Sequence, residues 1–167
     1  GYGSAAVGTI MISQPIVMAV LTPVMGKFSD RFSPFRMSSL GMAFCAAGTF
    51  MFIFVNRSTS LFFVIAALAV TGLGFALFSS PNTNAVMSCV DKEYYGVASS
   101  LLATMRSIGH TLSMVIVTVT VELYMTGVPI SGADPDTLVR VIRSSFIIFT
   151  SICIAGVFVS LRRSSGK

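Results

Sequence analysis

Arg106 and His110 stand four residues apart in LLATMRSIGHTL, residues 101–112, a segment otherwise built from aliphatic and small residues. At that spacing two side chains share one side of an α-helix. A guanidinium is a permanent cation with a fork of N–H donors, and an imidazole gains or loses a proton near neutral pH. The pair therefore has the chemistry to hold a polar group or to pass on a proton. A lone histidine also serves as a plain hydrogen-bonding group between helices, and both readings of His110 stand. Ser113 adds a hydroxyl three residues further on, and Gln14 places an amide inside another apolar run, where bonding between helices is its simplest role.

What these groups can do depends on the solvent around them. The chain has 167 residues, 54% hydrophobic and 10% charged, with a mean hydropathy of +0.86. Soluble domains carry about a quarter charged residues, so this composition is that of a membrane protein. The net charge of +5 does not mark a nucleic-acid binder, because the cations fall in short clusters between apolar runs. Cys45, Cys89 and Cys153 lack the spacing of a metal site or disulfide framework and read as small buried side chains. No metal or cofactor is expected. Nor is an enzyme: HExxH, a serine with a partner histidine and a paired aspartate are all missing from the sequence.

A helix needs about 20 apolar residues to cross a hydrocarbon core of ~30 Å. The chain offers five such runs, at about 5–25, 36–55, 61–80, 96–124 and 139–161, forming a single all-α transmembrane domain. Ser33-Pro34 and Asp134-Pro135 each pair an N-cap residue with proline at the first helical position, and Asp136 adds charge favourable to a helix start. Pro15 and Pro23 should bend the first span. Gly41, Cys45 and Gly48 form a small-residue stripe on the second, with Gly72 and Ala76 at like spacing on the third. Lys27, Arg31, Arg36, Lys92, Arg162, Arg163 and Lys167 fall on one side of the membrane, and Arg57, Arg140 and Arg143 on the other. The positive-inside rule then puts the N-terminus outside and the C-terminus in the cytoplasm. Pro81, Asn82 and Asn84 follow the third run at the cytoplasmic mouth, where bending, lining and helix capping are open roles.

Winding the fourth run at ~100° per residue gathers Val97, Leu101, Leu102, Met105, Ile108, Leu112, Val115, Ile116, Val119 and Leu123 into an arc of roughly 140°. The remaining arc collects Ser99, Ser100, Thr104, Arg106, Ser107, His110, Thr111, Ser113 and Thr118. A charge at the bilayer centre costs ~2.5–3.5 kcal/mol on insertion scales, so this second face should meet protein or water. Two depths suit Arg106: deep in a cavity, or near the cytoplasmic edge with its head group snorkelling.

The first cytoplasmic connection reads GKFSDRFSPFR, from Gly26 to Arg36, with Asp30 able to pair with Arg31 or Arg36. It resembles the G-x-x-x-D-R-x-x-x-[RK] loop of the major facilitator superfamily, although Ser33-Pro34 stands where that family usually has glycine and a basic residue. GLGFALFSSPNTNAVMSCV (72–90) and GVASSLLATMRSIGHTLSM (96–114) are similar to late helices of its 14-span drug:proton antiporters, the EmrB/QacA type. The resemblance implies that Gly26, Asp30, Arg31 and Arg36 act in a gating loop, and that the chain is the last five spans of a transporter. It further implies alternating access around a midplane site, with Gln14, Arg106, His110 and Ser113 as cavity candidates, and efflux of drugs or small amphipathic solutes driven by a proton gradient. The expected partners are the lipid bilayer, the organic solute and the N-terminal half of the same transporter, and the expected location is the inner (plasma) membrane. Glu122 lies near the outer end of its span, so a coupling carboxylate is expected in that other half. A complete five-span scaffold or assembly subunit without transport activity is the alternative.

Overall fold

The computed structural model describes residues 4–29, 34–56, 58–125 and 134–164. Asp30 and Arg31 of the first connection lie outside the described residues. Among these residues the chain forms α1 (Ser4–Met11), α2 (Ser13–Ser29), α3 (Pro34–Ile53), α4 (Leu61–Met87), α5 (Tyr95–Met125) and α6 (Pro135–Ser164), with a 3-10 turn at Lys92–Tyr94. α1 and α2 share one span, so five helical segments are long and apolar enough to cross a membrane. No strand occurs among the described residues. The all-helical five-span architecture is the one read from hydropathy, and the chain is a multi-pass membrane protein.

The prolines set the local shape. Pro15 has no N–H to offer the Met11 carbonyl, and the helix is interrupted at Ile12, between α1 and α2. The Ile12 N–H donates to the Gly8 carbonyl at 3.2 Å and the Ile16 N–H to the Ile12 carbonyl at 3.1 Å, so helical hydrogen bonds bridge the interruption. Pro23 and Pro81 instead sit inside unbroken helices. This corrects the end of the third span: the helix does not stop near Ser80 but runs on to Met87. A proline removes one bond, here to the Leu77 carbonyl, while the turns on either side keep theirs. α3 and α6 begin at Pro34 and Pro135, as the Ser-Pro and Asp-Pro pairs predict, with Asp136 in the first turn of α6.

α4 is the hub, packed along both α3 and α2. The close approach is made by glycine. A Cβ at Gly41 would lie 2.5 Å from the Phe78 backbone nitrogen, and one at Gly74 would lie 2.6 Å from that of Cys45. Gly48 meets Thr71 in the same seam. The expected stripe on α3 is thus in use, but its mates on α4 are Thr71 and Gly74. Gly72 faces α2, where a Cβ would stand 2.9 Å from the Gln14 carbonyl oxygen.

α6 returns antiparallel along α3 in a constant register. Ser39 and Ser160 share a hydrogen bond, Met42 lies against Gly156, Thr150 Oγ1 donates to Thr49 Oγ1 at 3.2 Å, and Phe52 stacks on Phe146 with ring centroids 4.7 Å apart. Steps of three, seven and three residues along α3 are met by steps of four, six and four back along α6. Where α3 ends, Arg143 Nε donates to the Ile53 carbonyl at 3.0 Å and Nη2 to Asn56 Oδ1 at 2.9 Å. Ser144 Oγ donates to the Tyr124 hydroxyl at 3.0 Å, tying α6 to α5. Arg143, which counts in the sequence only as an outer cation, is here the C-terminal cap of α3.

Candidate substrate-facing surface

α5 presents three distinct sides. Ala98 and Thr120 are buried, and Leu102, Ser113 and Ile116 half-buried, marking a narrow strip that rests on the bundle. Val97, Leu101, Met105, Ile108, Leu112, Val115, Val119 and Leu123 are exposed, as expected for a lipid-facing arc. Leu102 and Ile116 mark its edge, where it turns into the bundle. The third side carries Arg106, Ser107, His110 and Thr111, all exposed. Contact of α5 with α4 and α6 is slight beside the α3–α4 and α3–α6 seams.

No hydrogen bond or ion pair holds the Arg106 or His110 side chain among the described residues. Their hydroxyl neighbours are occupied differently. Ser100 Oγ donates to the Val97 carbonyl, Thr104 Oγ1 to Ser100, Thr111 Oγ1 to Ser107 and Ser113 Oγ to His110, at 2.8–3.1 Å. Such bonds satisfy a hydroxyl within its own helix in an apolar medium. The polar side of α5 therefore combines locally satisfied hydroxyls with one free cation and one free imidazole.

The structure brings some of the sequence candidates together and leaves others apart. Ser113 lines a cavity of about 540 Å³ with Thr49, Phe75, Met114, Thr118 and Phe149, where α3, α4, α5 and α6 converge. Arg106 and His110 lie on the same helix but outside its lining. Gln14 is half-buried on α2, with its backbone against Gly72, and is not part of this cavity. Phe75, Phe149 and Thr49 were not identified from the sequence. Each lies on a different helix from Ser113, and no local pattern in the chain reports such a convergence.

At the end of the bundle where α3 begins, Gly26 packs near α4, with a Cβ position 3.4 Å from Ser80 Oγ, while Arg36 is exposed. Pro81 is fully buried. Asn84 is exposed, and its carbonyl accepts the Ser88 N–H at 2.9 Å. Asn82 is half-buried and lines a second crevice, of about 490 Å³. No group of three or more His, Cys, Asp or Glu residues that could hold a metal ion occurs among the described residues.

Comparison with known proteins adds the following. The sequence model of the Major Facilitator Superfamily matches residues 1–166. The uncharacterized transporter YebQ of Escherichia coli is 24% identical over 98% of this chain and 34% of its own length. The riboflavin transporter RibZ of Clostridioides difficile is 23% identical over 92% of this chain and 34% of its own. The multidrug resistance protein Stp of Mycobacterium tuberculosis is 26% identical over 89% of this chain and 28% of its own. The chain thus spans about a third of the length of these relatives. No solved structure matches it.

Proposed function

Since this chain belongs to the Major Facilitator Superfamily, we infer that it supplies one wall of the solute pathway in a secondary transporter. The solute is a small amphipathic organic compound, exported across the inner membrane against proton entry. The observation that carries this reading is the third side of α5. Arg106 and His110 point away from the other helices of this chain and have no partner among the described residues. Charged groups of this kind do not face acyl chains at low cost; they face a water-filled cavity or another helix bundle. The cavity of about 540 Å³ beside Ser113 supports the reading, since it opens beside that helix and combines aromatic and hydroxyl groups, as sites for amphipathic ligands do. Membership of a family of transporters, with relatives named as transporters of riboflavin and as a multidrug resistance protein, points to transport and not catalysis. The hydrophobic lining and the likeness to Stp favour drug-like solutes.

The test uses the full-length transporter in proteoliposomes with an imposed proton gradient. Arg106→Ala should reduce substrate flux at least tenfold at unchanged membrane abundance, while Ile108→Ala on the apolar arc should leave flux within twofold, in line with ~1.4 kcal/mol or more for a charged contact against little for a lipid-facing methyl group. Ser113→Cys should react with a membrane-impermeant maleimide and be protected by substrate. Equal flux for both alanine variants would reject the assignment of α5.

A further inference from the structure

The polar side of α5 leads into the cavity beside Ser113. Seven residues make nearly two turns, so at ~100° and ~1.5 Å per residue Arg106 stands within about 20° of Ser113 and ~10 Å from it along the axis. His110 stands in the same relation to Val117, and Ser113 and Val117 both line the cavity. One stripe of the helix therefore carries a guanidinium, an imidazole, a hydroxyl and an apolar wall, in that order. We propose that the solute of this pathway is an organic anion, whose flat apolar body lies in the cavity against Phe75 and Phe149 and whose carboxylate or similar oxyanion is held by Arg106 with His110. The assignment rests on the transport reading and gives its solute a charge.

The distribution of charge selects this occupant. Among the described residues Arg106 is the charged group set deepest, more than ten residues from either end of its helix. The carboxylates of the described α-helices are Glu122, three residues before the end of α5, and Asp136, one residue into α6. Glu122 lies sixteen residues from Arg106, ~24 Å of helix. The wall thus offers a permanent cation at depth and no anion beside it. A cationic solute would be repelled there, and a neutral one would leave the guanidinium without a counter-charge where charge is costly. An oxyanion accepts both the forked N–H groups of an arginine and the N–H of an imidazole. Within the stripe Ser113 Oγ already donates to the His110 carbonyl at 2.8 Å, so the donors left open are those of Arg106 and His110. The cavity supplies the apolar complement: about 540 Å³, with Phe75, Phe149, Met114 and Val117 in its lining, is room for a ring system.

The experiment measures binding of three matched fluorophores to the purified full-length transporter in phosphatidylcholine nanodiscs. They are dansyl-4-aminobutyrate, its neutral primary amide, and dansylputrescine, a cation. Wild type should bind the carboxylate about tenfold tighter than the amide, the size of one charge-assisted contact, and the cation most weakly. Arg106→Gln should bring the carboxylate to the amide's affinity and leave the amide within twofold. Arg106→Lys, which keeps the charge and loses the fork, should retain part of the preference. Arg140→Gln, at an exposed cation near the start of α6, should change nothing, and Phe149→Ala should weaken all three probes. Wild type binding the amide or the cation as tightly as the carboxylate overturns the assignment and leaves the transport reading standing, since a solute still occupies the pathway. That is also the result expected if a carboxylate elsewhere in the protein holds Arg106. A preference that survives Arg106→Gln overturns the assignment as well, and absence of saturable binding for all three overturns both readings.

Discussion

Replacing Gly74 by alanine adds one methyl group where the structure leaves no room for it. The new Cβ would stand 2.6 Å from the Cys45 backbone nitrogen, 2.7 Å from its Sγ and 2.9 Å from the Gly41 carbonyl oxygen. Carbon contacts settle at about 3.5–4.0 Å, so α3 and α4 must separate by roughly 1 Å along this seam. Two of the three obstacles are backbone atoms and cannot turn aside. Overpacking of this kind costs ~1–3 kcal/mol, and the better helix propensity of alanine returns up to about 1 kcal/mol. A net loss of roughly 1–2 kcal/mol follows, a five- to thirty-fold fall in the folded-to-unfolded ratio. Gly41→Ala, facing Phe78 and Leu77 backbone atoms at 2.5 and 2.7 Å, should behave alike. Gly26→Ala meets only Ser80 Oγ at 3.4 Å, and Gly96→Ala meets nothing within 4 Å, so both should be neutral or mildly stabilising. The assay is thermal unfolding of the full-length protein in detergent, all four variants side by side. The reasoning fails if Gly74→Ala and Gly26→Ala lower the midpoint equally, because stability would then not follow the distance of backbone approach.

Two further outcomes test the arrangement. Arg143→Ala removes both hydrogen bonds that close the end of α3 and should cost on the order of 1 kcal/mol, discounted for exposure, with Arg143→Lys recovering part of it; unfolding midpoints measure this, and an unchanged midpoint would deny Arg143 its capping role. Thr49→Cys with Thr150→Cys, at hydroxyls 3.2 Å apart, should form a disulfide under mild oxidation in a background lacking the three native cysteines, whereas Thr49→Cys with Ser151→Cys should cross-link much less, as read by protease cleavage and gel mobility.

Much of this fold is legible in the sequence because in hydrocarbon a helix must satisfy its own backbone, so length and apolarity suffice to locate spans. The faces of α5 are legible for a similar reason: Leu101, Met105, Ile108 and Leu112 recur at helical spacing and are exposed, while Arg106 and His110 fall on the other side. The end of α4 is not. Ser80-Pro81 reads as punctuation, yet one missing N–H inside a packed helix is tolerated and α4 runs on to Met87. The choice between Gly72 and Gly74 is equally hidden, since both are small and only the rotation of α4 decides which meets α3. The cavity beside Ser113 depends on Thr49, Phe75 and Phe149 arriving from three other helices. Such pairings are set by tertiary packing, which leaves no trace in a local pattern. For the connection from Gly26 to Arg36, Asp30 and Arg31 stay at the level of the motif, while Gly26 and Arg36 have places near the ends of α2 and α3.

The matched run of α3 against α6 also bears on how the protein is made. α3 precedes α6 by two spans, so the partner for its Ser39, Thr49 and Phe52 emerges from the ribosome only after α4 and α5 have been threaded into the bilayer. During that interval the side of α3 that will meet α6 rests on transient neighbours, although Thr49 keeps its bonds to the Cys45 and Ala46 carbonyls of its own helix, and the arrival of α6 closes the seam. A nonsense mutation just before Pro135 would therefore leave α3 without its mate, a target for membrane quality control rather than a slightly shortened protein.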